Sequence, residues 1–310
     1  MALASARARG QEAGMNGFDI LCVGSVLWDV IGRSASVMRQ GSDVPGRITR
    51  LPGGVALNIA MTLARFDMRP ALLSVVGRDP EGDELVAACA RLGLEVAHLY
   101  RSEDLPTDRY MAVEGANGLI AAIADAHSLE QAGARILRPL LDGPLGSAER
   151  PFDGLIALDG NLTVGLLAEI ARSRLFSRSD LRVAPASPGK ELRLAPFLQA
   201  RRGTLYVNLE EAGLLCQTAF TGSAAAAEGL LARGALRVVV TDGGNPATVG
   251  GAAGFVTQTP PPVLVTRVTG AGDTFMAAHI AAELGGREAE AALDDALRAA
   301  ARYVSGETKI

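Results

Sequence analysis

Four consecutive residues, Gly270-Ala271-Gly272-Asp273, set bare backbone beside a carboxylate within the stretch RVTGAGDTFMAAHIAAEL. An apolar run at 263–265 precedes them, and a strongly helical sequence follows. The start of a helix carries unpaired N–H groups and the positive end of a dipole, so it attracts anions. Glycine lets such backbone approach a phosphate closely. The amides of Gly270, Ala271 and Gly272 can hold the charge that develops on a transferring phosphoryl group, where loss of one donor costs roughly 3–4 kcal/mol of barrier. Asp273, in the first turn, can take the proton of an attacking hydroxyl, a step worth around 10²–10⁴ in rate. Together these parts suit phosphoryl transfer to an alcohol. Taken alone, the same four residues also make an ordinary helix start, with the aspartate offsetting the dipole.

A second constellation lies in LPGGVALNIAMTLARF, where Gly53-Gly54 precede a helix and Asn58 stands one turn inside it. Small residues there permit close approach of a polyhydroxy ligand, and Asn58 can both donate and accept. Asp29 follows the first apolar run, in VGSVLWDV. A carboxylate at the carboxyl end of a strand is well placed to grip two adjacent sugar hydroxyls. As isolated residues, Asp29 and Asn58 are equally turn or cap residues. No G-x-G-x-x-G follows the first strand. The pair Gly189-Lys190 lacks both the preceding glycine and the following Ser/Thr of a Walker loop, so those two phosphate-binding readings lose ground.

Positioning such residues takes a large scaffold. The chain has 310 residues, 48% of them hydrophobic, enough for one large α/β core. Apolar runs at 20–23, 71–76, 154–158, 181–184, 205–207 and 237–241 read as strands, with helical patterns at 55–66 and 82–92 and between the later runs, including the alanine-rich 224–227. Such alternation predicts an α/β, doubly wound αβα sandwich around a mostly parallel sheet, with ligands beyond the carboxyl ends of its strands. One segment breaks the pattern. Residues 107–113 and 119–124 flank Gly115-Ala116-Asn117-Gly118 and read as a hairpin. Extended pieces at 30–34 and 45–50 can pair with it to form a small β-sheet lid. No internal repeat or interdomain linker is visible.

The net charge of −4 gives no general attraction to nucleic acid or to an anionic membrane surface. No apolar run is long enough to span a bilayer. Cys22, Cys89 and Cys216 sit in apolar contexts, odd in number and far apart, which suits buried thiols in a reducing cytoplasm. Three histidines without close spacing argue against a zinc site. Residues 1–17 are rich in Ala, Arg and Gly, lack a signal-peptide core, and read as a leader outside the domain at 18–310.

The order of GGVALNIA and VTGAGDTF across the chain resembles the PfkB, or ribokinase-like, carbohydrate kinases. The resemblance spans 20–301 and implies a doubly wound domain with a small lid, ATP as phosphoryl donor, and phosphorylation of a hydroxymethyl group. It makes Asp273 the base and Gly270, Ala271 and Gly272 the anion hole, with Thr269 beside ATP. It identifies Asn208-Leu209-Glu210-Glu211 with the family's N-x-x-E element, in which Glu211 organises Mg²⁺ through water. Read alone, Asn208 and Glu211 have the spacing of a capping box, and the two roles are compatible. VVVTDGG resembles the family's strand and turn beside the nucleotide, bringing in Thr241 and Gly243. One position departs from the pattern. Many members carry an acidic residue two places before the Thr of T-G-A-G-D, where it helps hold a monovalent cation. Here it is Arg267, whose guanidinium would repel K⁺, so little dependence on K⁺ is expected.

The acceptor is read from the lid. PTDRYMAVEGANGLIAAIADAHSLE, ALDGNLT and APASPGKELRL resemble the corresponding pieces of the pseudouridine kinases within that family. Through that likeness Thr107, Asp125, Asn161 and Lys190 are candidate partners of a uracil face, and Thr107 and Asp125 are expected to face one cleft. As isolated residues, Asp125 reads as a turn, Asn161 as a cap and Lys190 as a solvated charge. Sites that hydrogen-bond a polar edge discriminate strongly against ligands lacking it. The alternatives are a kinase for adenosine, inosine or ribose, and a silent sugar- or nucleotide-binding protein on the same fold. Lid sheets can pair between copies, with Tyr110 or Met111 facing a partner or a ligand, so a homodimer is a further expectation.

Overall fold

The structure is a computed structural model that describes residues 17–186 and 189–307. The expected leader lies outside the described residues, apart from Gly17, and so do Ser187 and Pro188 of the APASPGKELRL piece.

Alternation along the strands sets the architecture. In the strand Ile20–Val23 all four residues are buried. Ile20 and Cys22 point into one apolar cluster, with Leu57, Leu63, Phe275 and Ile280. Leu21 and Val23 point into another, with Ile156, Leu167, Phe197 and Leu230. A strand buried on both sides needs helices over both faces, and each fully buried aliphatic side chain contributes about 1.5–3 kcal/mol to holding them there.

The resulting sheet has eight strands, in the spatial order Gly254–Gln258, Asn245–Gly251, Arg237–Asp242, Thr204–Asn208, Asp180–Ala184, Leu155–Asp159, Ile20–Val23 and Pro70–Leu73. The six strands from Arg237–Asp242 to Pro70–Leu73 run parallel. The first two are antiparallel additions that the sequence pattern does not reveal. The chain leaves Ile20–Val23 toward Pro70–Leu73 on one side and returns to Leu155–Asp159 on the other. The carboxyl ends of Ile20–Val23 and Leu155–Asp159 therefore flank a topological switch point, the place where open α/β sheets bind ligands.

The run expected as one strand over 71–76 is two. It breaks at buried Ser74, whose carbonyl accepts from Tyr100 N at 2.9 Å. Val75–Gly77 then leaves the main sheet to pair with Tyr100–Ser102. Its continuation, the helix Pro80–Arg91, starts under an Asp79 cap with proline in its first turn, slightly ahead of the expected start.

The lid is a separate four-stranded sheet, in the order Arg47–Gly53, Leu27–Arg33, Arg109–Gly115 and Gly118–Asp125. Its register puts Asp29 opposite Leu51 and Tyr110, and Tyr110 opposite Ala124, so these four share a face. Trp28, Pro52, Arg109 and Asp125 share the other. No helix among the described residues is long and apolar enough to cross a membrane.

Candidate active site

The switch point is built around one buried carboxylate. Asp159 ends its strand with no exposed surface. Its Oδ2 accepts from Ser25 N at 2.8 Å and from the Ser25 hydroxyl, and its Oδ1 accepts from Asn161 N at 2.7 Å. Burial pushes the Asp159 carboxyl up, while these bonds and the nearby Lys190 charge oppose the rise. Ser25 passes the constraint on. Its Oγ accepts from Val55 N at 2.9 Å, at the start of the helix Val55–Arg65, and its carbonyl accepts from Leu57 N at 3.3 Å.

That helix carries Asn58, whose Nδ2 donates to Asp273 Oδ2 at 3.0 Å. Asp273 sits in the first turn of the helix Ala271–Leu284, capped by Gly270 in the left-handed region at φ 86°. The residue as a whole is half-buried. Burial pushes its carboxyl up to about 7, against the Asn58 bond, and the charges of Asp159 and Asp29 add to the rise. Asp29 itself is pushed up to about 6 by burial. A carboxyl poised near neutral pH suits a general base.

Gly53 is required by Asp29. A Cβ on Gly53 would run into the Asp29 carboxylate, so glycine at this last lid-strand position leaves room for the acid. Gly54 then begins the Asn58 helix. Asp29, Gly53, Gly54, Asn58 and Asp273 thus form one continuous wall. Asn161 and Lys190 join it through Asp159: Lys190 Nζ donates to Asn161 Oδ1 at 2.7 Å, and Asn161 Nδ2 donates to Ser25 Oγ at 3.4 Å.

Thr107 and Asp125 are not brought to this wall, and the shared cleft expected for them does not form. Thr107 is buried, with its amide and hydroxyl both donating to Asp79 at 2.8 Å and 2.6 Å. Asp125 lies across from Arg109, on the lid face turned away from Asp29, and its Oδ1 pairs with His127 Nδ1 at 2.9 Å. Tyr110 does share the face of Asp29, and burial followed by the Asp29 charge pushes its phenol up.

Asn208, Glu211, Thr241 and Gly243 gather at the carboxyl ends of Thr204–Asn208 and Arg237–Asp242, where Asn208 pairs with Thr241. Asn208 and Glu211 form a reciprocal capping box. Glu211 N donates to Asn208 Oδ1 at 2.8 Å, and Asn208 N donates to Glu211 Oε2 at 2.7 Å. Burial pushes Glu211 up to about 7 despite the latter bond, with Glu191 and Glu210 adding to the rise. A hard cation nearby would relieve that repulsion, so these residues fit Mg²⁺. No three-residue acidic or histidine cluster exists among the described residues. That suits an ion held largely by nucleotide phosphates and water.

A monovalent cation fits poorly beside Gly270. The neighbouring carbonyls are already engaged: Tyr303 O accepts from Arg267 Nε at 2.7 Å, and Val304 O accepts from Thr266 N at 2.8 Å and Arg267 N at 3.2 Å. The residues that pattern reading leaves without a role here are Ser25, Asp159 and Tyr303. Asp159 does stand within the ALDGNLT stretch, but nothing local in the sequence points to its partner 134 positions away.

A doubly wound sheet with a separate lid, and a helix start pairing a glycine turn with an elevated aspartate, defines a phosphotransferase class of protein. The pfkB family carbohydrate kinase model matches residues 18–308, and the chain belongs to that family. It is 29% identical to the pseudouridine kinase of Escherichia coli (strain K12) over 273 residues, 83% of this chain and 81% of that one. It is 32% identical to an uncharacterized sugar kinase of the same organism over 146 residues, 47% of this chain and 39% of that relative. Among solved structures, a ribokinase from Thermotoga maritima superposes with a TM-score of 0.75 at 21% identity, covering 93% of each chain, which shows the ribokinase-like fold.

Proposed function

We infer that this kinase transfers the γ-phosphoryl group of ATP to the 5′-hydroxyl of pseudouridine, giving pseudouridine 5′-phosphate and ADP. The observation that carries the chemistry is Asp273: elevated to about 7, oriented by Asn58, and set in the first turn behind Gly270, Ala271 and Gly272. Asp29 holds the ribose diol, with Gly53 and Gly54 letting the sugar approach, and Asn161 and Lys190 meet the base. Asp273 takes the hydroxyl proton as the oxygen attacks phosphorus. The bond to the β,γ-bridging oxygen breaks, and the amides of Gly270 and Gly272 hold the charge of the transferring group, while the Ala271 amide expected beside them donates instead to Val268 O at 3.0 Å and shapes the turn. Thr241, Gly243, Asn208 and Thr269 border the nucleotide. Glu211 would hold Mg²⁺ through water, and the ion would supply charge neutralisation on the phosphates.

The choice of pseudouridine is supported by the likeness of the lid and of the ALDGNLT stretch to pseudouridine kinases and by the extent of the Escherichia coli match. The sugar-kinase relative supports a second reading, in which the acceptor is a free sugar. The proposal includes a catalytic domain from residue 18 onward, a cytoplasmic setting consistent with three free buried cysteines, and a homodimer. Ile48, Met111 and Ile123 stand exposed on the lid face turned away from Asp29, which supports pairing of lids between two copies.

The test is ADP release from Mg-ATP with pseudouridine, uridine, adenosine, inosine, ribose and fructose 6-phosphate in parallel. Pseudouridine should give the highest kcat/KM. A sugar giving the highest value would replace the acceptor and keep the kinase.

A further inference from the structure

The turn that forms the anion hole is not held by its own helix alone. Tyr303, near the end of the C-terminal helix Ala289–Ser305, reaches across and donates its hydroxyl to the Thr269 carbonyl at 2.8 Å. The same hydroxyl lies 2.6 Å from where a Cβ on Gly270 would stand, so glycine there is needed for Tyr303 as well as for the positive φ. The ring is held in turn by Arg267. Its guanidinium carbon lies 3.9 Å from the ring centroid, and its Nε donates to the Tyr303 backbone carbonyl at 2.7 Å. Thr266 closes the arrangement, with both its amide and its hydroxyl donating to Val304 O, at 2.8 Å and 3.1 Å. The C-terminal helix is therefore joined to the segment that runs into Gly270 through the hydroxyl and ring of Tyr303 and through the backbone carbonyls of Tyr303 and Val304.

The ring stack and the Arg267 hydrogen bond act on the turn that carries the Gly270 and Gly272 amides, where a displacement of about 1 Å costs on the order of 100-fold in rate.

We propose that Arg267 is a built-in cation that, through Tyr303, holds the anion-hole turn in its working shape in place of a free monovalent ion. Arg267 and Tyr303 are positioning residues, and their role rests on the kinase reading above.

The test compares wild type, Arg267→Ala, Arg267→Lys and Tyr303→Phe by steady-state kinetics in potassium, sodium and Tris buffers, alongside amide hydrogen exchange of 268–274. Wild-type turnover should be the same in all three buffers. Arg267→Ala and Tyr303→Phe should lower kcat about 10–100-fold with little change in KM for the acceptor. Added guanidinium ion should restore part of the kcat of Arg267→Ala and none of that of Tyr303→Phe. Arg267→Lys should remain impaired, because an ammonium lacks the planar stack. Amides of 268–274 should exchange faster in Arg267→Ala and Tyr303→Phe while melting temperatures stay close to wild type. Wild-type kinetics and unchanged exchange in these two variants would overturn the latch and leave the kinase standing. A wild-type requirement for potassium would overturn the built-in cation. Absence of wild-type turnover would count against the kinase reading instead, and exchange of 268–274 would then decide the latch by itself.

Discussion

Asn58 Nδ2 lies 3.0 Å from Asp273 Oδ2, a bond that joins residues 215 positions apart. It ties the start of one helix to the start of another and aims the carboxylate proposed as the base. The acid limb of kcat/KM should accordingly fall near pH 7, set by the elevated Asp273. Replacing Asn58 with Ala removes a donor that favours the charged form, so the limb should move to higher pH, measured by a pH–rate profile. A limb that stays in place would detach Asn58 from the base.

Asp273→Asn should lower turnover at least about 100-fold and leave nucleotide binding, measured by calorimetry, largely intact.

The same variant should alter stability in a pH-dependent way. The folded protein keeps the Asp273 proton up to about pH 7, whereas the ordinary carboxyl releases it near 3.8. Between these values the folded state binds more protons than the unfolded chain, so stability falls as pH rises through the window. An asparagine does not titrate. The melting temperature of Asp273→Asn relative to wild type should therefore climb across that window and level off above it. A constant difference would show that the elevation is absent.

Gly53→Ala drives a methyl group into the Asp29 carboxylate. It should raise KM for the acceptor by about tenfold or more while KM for ATP stays near wild type. Equal changes in both constants would point to general distortion.

Glu211→Gln should raise the Mg²⁺ concentration that gives half-maximal rate, read from a magnesium titration at fixed ATP. Glu211→Ala, which unlike Gln also removes the capping-box acceptor, should in addition cost about 1 kcal/mol in denaturant unfolding. An unchanged magnesium response with that stability loss would leave Glu211 as a cap alone.

Legibility in the sequence followed distance along the chain. The glycine turn with Asp273, the Gly53-Gly54 pair and the capping box at Asn208 are local patterns, and each is a local structure here. Buried parallel strands were legible because both faces are apolar. The break at Ser74 was not, because the apolar run continues unbroken while the partner strand changes. The antiparallel strands Asn245–Gly251 and Gly254–Gln258 are rich in glycine and turn residues, and their pairing with the sheet edge is set by tertiary packing. Thr107 looked available because its partner, Asp79, is 28 positions away. Asp159 and Tyr303 act across still longer separations, 134 and 34 positions, where spacing carries no signal.

The face that the lid turns toward Asp273 has a consequence for fidelity. A base able to take a proton from a sugar hydroxyl can also take one from water, and the phosphoryl group would then be lost to solvent. Around Asp29 and Tyr110 the inner face of the lid carries Leu51, Ile31, Ala112 and Ala124, side chains that offer a stray water no hydrogen bond. Leu51 is 53% exposed. Suppression of idle ATP hydrolysis is thus expected to depend on the lid as well as on the proposed base. A polar substitution at Leu51 would show itself first as ADP formed with no acceptor present.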